Sequence, residues 1–316
     1  MILATLQDGT QDGRLIVVAP DRRHYALAPV PTLREALENW SDAAPAMAAI
    51  GAFPESLADN RLTAALPRAW QWLDGSVYPT HAELMQIAFG HDPIESDRPL
   101  MYQGLSDRFY GPTEDVVMPG EEHGIDFEGE FAVITDRVPM GTGAADALGH
   151  IKLVVQVNDW SLRAIAATEM KTGFGWVQAK PACAMAAFAV TPDELGPAWH
   201  NGRVALDLHI DWNGRPFGRA NGAPMAFGFP ELIAHAAFSR DLAAGTVVGS
   251  GTVSNPEYAE VGSSCISEVR AIEMIAGGKP ETGFMRFGDR VRMEARAADG
   301  SAPFGAIDQR IVPFPG

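Results

Sequence analysis

The chain has 316 residues, 47% of them hydrophobic and 20% charged, with a formal net charge of −16. That supplies core for one large domain or two smaller ones. So acidic a surface repels phosphate, which excludes nucleic acid and anionic membrane as expected partners, and two cysteines, Cys183 and Cys265, exclude a disulfide framework or a cysteine zinc site. The first ten residues lack a basic patch followed by an apolar run, and the apolar window 43–53 is too short to span a bilayer and contains Pro45. A cytoplasmic protein is the expectation.

In chain order, residues 1–30 read as short strands broken at Asp8-Gly9 and Asp12-Gly13. A helix is expected over 32–40, opened by Pro31-Thr32, and a second over 54–62. Residues 67–78 read as a Trp-bearing loop closed by Asp74-Gly75, and 81–89 as a helix. The proline-punctuated segment 91–99 marks a boundary, giving a small N-terminal α/β domain over 1–96 and a larger domain over 97–316. The larger part is strand-rich, with strands expected at 127–135, 151–158, 186–190, 204–212, 246–251, 289–295 and 306–312. Helices are expected near 160–170 and 229–238. Asn213-Gly214 between alternating runs signals a hairpin. The class is therefore α+β, a mixed sheet closed or rolled on itself, with an active site at its mouth.

One stretch carries chemistry. Asp126-Phe127-Glu128-Gly129-Glu130-Phe131 alternates polar and apolar residues, the period of a strand. Glu128 and Glu130 then share a face, roughly 7 Å apart. Carboxylates that close repel unless a cation lies between them. Asp159 ends the apolar run 153–158 and adds a third carboxylate, an oxygen set suited to Mg²⁺, Ca²⁺ or Mn²⁺ rather than zinc. The plain alternatives are a solvated strand face for Glu128, Glu130 and Asp126, a helix N-cap for Asp159, and an i,i+4 ion pair between Asp159 and Arg163.

Asp126-Phe127-Glu128-Gly129-Glu130, Val157-Asn158-Asp159-Trp160-Ser161-Leu162-Arg163, Gln178-Ala179-Lys180-Pro181, Leu232-Ile233-Ala234-His235, Gly249-Ser250-Gly251-Thr252 and Gly288-Asp289 follow one another in that order. This set resembles the fumarylacetoacetate hydrolase family over about residues 100–316. The Leu66-Pro67-Arg68-Ala69-Trp70-Gln71-Trp72 stretch is similar to bacterial members with a small N-terminal domain. The resemblance implies the family's mixed β-sheet barrel or roll, a homodimer, and one divalent cation per chain held by Glu128, Glu130, Asp159 and a further aspartate before an aromatic residue. Asp107 in Ser106-Asp107-Arg108-Phe109-Tyr110 is the candidate, its spacing off by one. Arg163 and Lys180 fall at catalytic positions. Tyr110, Gly251 and Thr252 fall at substrate-binding ones. The catalytic histidine expected after that aspartate has no counterpart in Gly111-Pro112-Thr113-Glu114-Asp115, and Ala166 replaces a family glutamine. His123 is the substitute base nearest along the chain.

The implied substrate is a small oxo or dicarbonyl acid, and the implied reaction is hydrolysis of a C–C bond in aromatic-compound breakdown. A 2-oxo acid decarboxylase or keto–enol isomerase on the same cation is the alternative. A catalytically silent cation-binding dimer is the other, motivated by the missing histidine.

Overall fold

The computed structural model describes residues 1–57, 61–89 and 96–315. The expected helix over 54–62 and the expected boundary over 91–99 therefore lie partly outside the described residues.

Strand-forming runs of Val, Ile, Leu and Ala supply one large mixed sheet. Its order runs from Glu55–Ser56 through His24–Leu27, Arg14–Val18, Ile2–Leu6, Ala189–Val190, Ile151–Asn158, Gly129–Thr135, Val247–Gly249 and Trp72–Ser76 to Leu100–Gly104. The N-terminal strands are joined to the rest of this sheet, because Ile2 and Leu3 pair with Val190 and Ala189. A second, five-stranded sheet holds Arg215–Asn221, Asp207–Trp212, Arg290–Arg296, Ala306–Pro313 and Val116–Met118. The Asn213-Gly214 hairpin forms as its sequence demands, both residues at positive φ.

The two sheets share a core, bridged by the buried Gln156. Its side-chain amide donates to Met293 O at 3.1 Å and its carbonyl accepts from Ala295 N–H at 2.8 Å. The two groups that could be orphaned are both partnered, so the polar side chain fixes the register between the layers. Gly129 faces the second sheet, where a Cβ would meet the tips of Ile210 and Leu208 at 2.8 Å, so a larger residue would require those side chains to shift.

Most strand expectations agree with the structure within a few residues. The 67–78 loop is a correction. Trp72–Ser76 is a strand, parallel to Val247–Gly249 on one side and antiparallel to Leu100–Gly104 on the other. Asp74-Gly75 carries a turn signature, but pairing on both sides holds it extended. A further correction is the helix Ile266–Gly277, absent from the sequence expectations, with Cys265 at its N-cap.

The central strands bring their ends together at one place. Gly249 pairs with Asp74 on one side and with Ala132, two residues beyond Glu130, on the other. Glu130 pairs with Val157, just before Asp159. Gly251 holds φ +77°, and a Cβ there would lie 2.4 Å from the Gly75 carbonyl oxygen. Gly251→Ala is therefore expected to lose about 1–3 kcal/mol of stability, read as a lower melting temperature. A variant as stable as the native chain would contradict this geometry.

Candidate metal centre and acid–base pair

Asp74, Glu130 and Asp159 are all buried, and one ligand oxygen of each lies within 4.8 Å of the others. Both Glu130 oxygens are buried without a hydrogen-bond partner among the described residues. Burial pushes the Glu130 carboxyl well above the usual carboxylate range, and Asp74, Asp159 and Glu128 push it further. Burial likewise drives Asp74 upward, with Asp159 the next largest cause. Three such groups cannot all hold charge there unaided. A hard divalent ion of the kind that takes oxygen ligands fits this donor set, supplying what the orphaned Glu130 oxygens lack.

Glu128 stands beside this group in a different setting. It accepts from Ser161 Oγ at 2.7 Å, Thr252 Oγ1 at 2.6 Å and Lys180 Nζ at 2.9 Å, and Arg163 Nη2 lies 2.8 Å away. Burial alone would raise its carboxyl, but Arg163 and then Lys180 outweigh that and hold it well below the usual range. Glu128 stands just before the strand Gly129–Thr135 and Glu130 within it, and one meets cations and hydroxyls where the other meets carboxylates.

Lys180 bridges the two settings. Its ammonium donates to Glu128 and, at 2.5 Å, to Asp159 Oδ2. Burial pulls it down, but Asp159 and Glu128 more than offset this and its pKa stands raised. Tyr102 OH also donates to Asp159 Oδ2 at 2.5 Å, and Cys183 Sγ lies 2.8 Å from Oδ1. Burial, with Asp159 next, pushes the Cys183 thiol up, so it stays a neutral donor.

Arg163 opens its helix, Arg163–Thr172, but does not pair with Asp159. Its Nε donates to Asp126 Oδ2 at 2.8 Å. Asp126 is fully buried rather than solvent-facing, and it also accepts from the Ile266 and Ser267 N–H groups at the start of the helix Ile266–Gly277. Those N–H groups have no intrahelical partner, and the carboxylate satisfies them. Asp126→Asn would leave Arg163 without this counter-ion in the interior. Because Glu128 still faces Arg163 at 2.8 Å, we expect a loss of about 1–3 kcal/mol, measured by denaturant unfolding. A midpoint unchanged from native would remove the role.

The same helix delivers Glu268, whose Oε1 lies 2.8 Å from His81 Nδ1. Both groups are buried. His81 sits on Pro79–Phe89, the helix that follows the Asp74 strand. A cavity of about 320 Å³ is lined by His81, Asp74, Glu128, Arg163, Lys180, Gly251 and Thr252 among others.

Of the residues singled out in the sequence, the structure thus gathers Glu128, Glu130, Asp159, Arg163, Lys180, Gly251 and Thr252. It does not gather Asp107, Tyr110 or His123. Asp107 is exposed at the end of a loop, and Asp74 takes the place expected of it. Tyr110 is buried under the Arg108 guanidinium, outside the cavity lining. His123 is about one-third exposed, 3.4 Å from Glu122, and likewise outside the lining. The segment after the cluster's aspartate is thus Gly75–His81, from the end of its strand into the next helix, rather than Gly111–Asp115, and it does end in a histidine. The signal was present: a buried-looking Trp72-Leu73-Asp74 run followed by a histidine one helical turn into the next apolar-periodic segment.

Two family models match the chain: "Fumarylacetoacetate (FAA) hydrolase C-terminal" over residues 71–312 and "Fumarylacetoacetase N-terminal domain 2" over 1–68. The expected division at 96/97 falls inside the larger match, and Asp74 and His81 lie within it. A curated relative, the 2,4-didehydro-3-deoxy-L-rhamnonate hydrolase of Sphingomonas sp. (strain SKA58), is 28% identical over 163 residues, 51% of this chain and 54% of the relative. The chain thus spans about half the length of that relative. Among solved structures, maleylpyruvate hydrolase from Sphingobium sp. SYK-6, in complex with manganese (II) ion and pyruvate, aligns with a TM-score of 0.67 at 18% identity, over 99% of both chains. The 5-carboxymethyl-2-hydroxymuconate delta-isomerase from Mycobacterium smegmatis aligns with a TM-score of 0.64 at 18% identity, over 100% of both. With its larger part matched almost end to end and the same strand-rich α+β fold in these structures, the chain belongs to the fumarylacetoacetate hydrolase family.

Proposed function

We propose that this protein is a divalent-cation-dependent hydrolase that cleaves a C–C bond in a small acid with a 1,3-dicarbonyl group. The observation that carries the reading is one cavity lined by Asp74, Glu128, His81 and Lys180, with Glu130 and Asp159 clustered behind Asp74 and Glu268 held to His81. The manganese and pyruvate held by the maleylpyruvate hydrolase structure support it.

Asp74, Glu130 and Asp159 would hold the cation, with Glu128 next to it. A bound divalent ion would polarise the substrate carbonyl and offset the negative charge that develops on its oxygen. Glu268 accepts from His81 Nδ1–H, which leaves Nε2 as the nitrogen that takes a proton from water. The hydroxide oxygen adds to the carbonyl carbon, the neighbouring C–C bond breaks, and His81 returns the proton to the departing carbon. Lys180, charged and shielded from solvent, binds the substrate's carboxylate or its developing oxyanion. Arg163 holds Glu128 in place through the 2.8 Å ion pair.

The test is turnover of a panel of 2,4-dioxo acids by Mg²⁺-, Mn²⁺- and Ca²⁺-loaded protein. Two carboxylic fragments from one substrate support hydrolysis. Carbon dioxide, or an isomer of unchanged mass, would replace it with the decarboxylase or isomerase alternative. Pairing of two copies and a cytoplasmic site belong to the same proposal. Sedimentation equilibrium would check the former.

A further inference from the structure

The cavity's far side differs from its floor. Met85, Leu100, Met101, Ala166, Met170 and Trp176 line it, and no charged group stands among them. The helices explain the split. His81 and Met85 stand one turn apart on one helix, and so do Ala166 and Met170 on another. Each helix therefore gives the cavity a polar or small residue inward and a thioether outward. Trp176 closes the wall edge-on to Tyr102, with ring centroids 6.2 Å apart.

The cations that line this cavity are already engaged. Arg163 serves Asp126 and Glu128, and Lys180 serves Glu128 and Asp159. His81 is held by Glu268. The next arginines, Arg98 and Arg240, line a neighbouring cavity of about 690 Å³ that shares Met101, Tyr102 and Trp176 with this one. Asp74, Asp126, Glu128, Glu130 and Asp159 are buried against Arg163 and Lys180. With one divalent ion that group still carries a net negative charge, and a carboxylate on the substrate adds to it. A second carboxylate placed against the methionines would find no further counter-ion among the lining residues and would be repelled by that net negative charge, whereas an apolar end would cover the wall.

From this we infer that the site takes 2-oxo or 2,4-dioxo monocarboxylic acids whose far end is an apolar group, and rejects the dicarboxylic analogues. Met85, Leu100, Met101, Met170 and Trp176 are the residues that set this specificity. The inference rests on the proposed function only in taking this cavity as the substrate site with its cation.

Binding decides it without turnover. The Mn²⁺-loaded full chain is titrated calorimetrically with pyruvate, 4-methyl-2-oxopentanoate and 2-oxoglutarate. The last two are of similar size; the first ends in an isopropyl group, and the second reaches one methylene further and ends in a carboxylate. Expected is 4-methyl-2-oxopentanoate tighter than pyruvate by about tenfold and tighter than 2-oxoglutarate by about tenfold or more. Leu100 and Met170 are 42% and 40% exposed, so arginine is accommodated there without a buried charge. Leu100→Arg and Met170→Arg should each narrow the preference against 2-oxoglutarate about tenfold. Equal or tighter binding of 2-oxoglutarate by the native chain overturns the inference and leaves the cleavage reading standing. The expected order without turnover of any 2,4-dioxo acid sinks cleavage and keeps the inference. Failure of all three acids to bind the Mn²⁺-loaded chain overturns both.

Discussion

Glu130→Gln is expected to abolish stoichiometric cation binding and, in the metal-free chain, to raise the melting temperature. The two effects have one cause. Glu130 has two buried oxygens without partners, facing Asp74 and Asp159. A neutral amide of the same size stays uncharged at every pH, where the carboxyl must be held protonated or repel its neighbours, and it offers donors to both. The gain in the metal-free chain is on the order of 1–2 kcal/mol. Added Mn²⁺ should raise the melting temperature of the native chain, because it binds only the folded state, and leave the variant unmoved. Scanning calorimetry with EDTA and with Mn²⁺ reads both. A variant that is less stable in EDTA and still holds one ion per chain would remove Glu130 from the site.

The pH dependence follows with a definite sign. Burial raises the carboxyls of Glu130 and Asp74 above their unfolded values. Their contribution to stability is present below the ordinary carboxylate range and is lost as pH rises through the folded values. The metal-free native chain should therefore lose stability from weakly acid pH upward, and Glu130→Gln should flatten that slope. Glu128, held low by Arg163 and Lys180 against its burial, acts oppositely. Its contribution is present above the ordinary carboxylate range and lost as pH falls. Cation binding displaces the protons on Asp74 and Glu130, so affinity should rise with pH.

His81→Asn is expected to lower kcat by about 10²–10⁴ while leaving cation stoichiometry intact. The ring is oriented by Glu268 at 2.8 Å and lines the cavity, outside the Asp74–Glu130–Asp159 group. Glu268→Gln should lower kcat too. The double variant should be little worse than His81→Asn alone, since the two act as a unit. Single-turnover kinetics on the cleaved substrate, with metal analysis alongside, makes the comparison. Turnover within about threefold of native in His81→Asn would show that another group activates the water.

Much of this site was legible along the chain. Alternation alone picked out Glu128 and Glu130, and the apolar run 153–158 delivered Asp159 to the end of the neighbouring strand. The errors were of one kind. Asp107 was chosen because it precedes an aromatic residue, and His123 because it is near in sequence. Both are local criteria, and the site is not local.

What the sequence determined by itself was the strand-rich class and a set of carboxylates on neighbouring strands, from which the proposed cation chemistry follows, because side-chain period and charge are properties of short segments. Only the tertiary structure brought Asp74 to the other carboxylates and paired His81 with Glu268. Asp74 reaches the cluster through parallel pairing of Trp72–Ser76 with Val247–Gly249, and Glu268 reaches His81 on a helix whose first N–H groups are anchored by Asp126. Contacts between segments so far apart leave no periodic trace in either one. They are set by which strands pair and by which buried charge finds a donor.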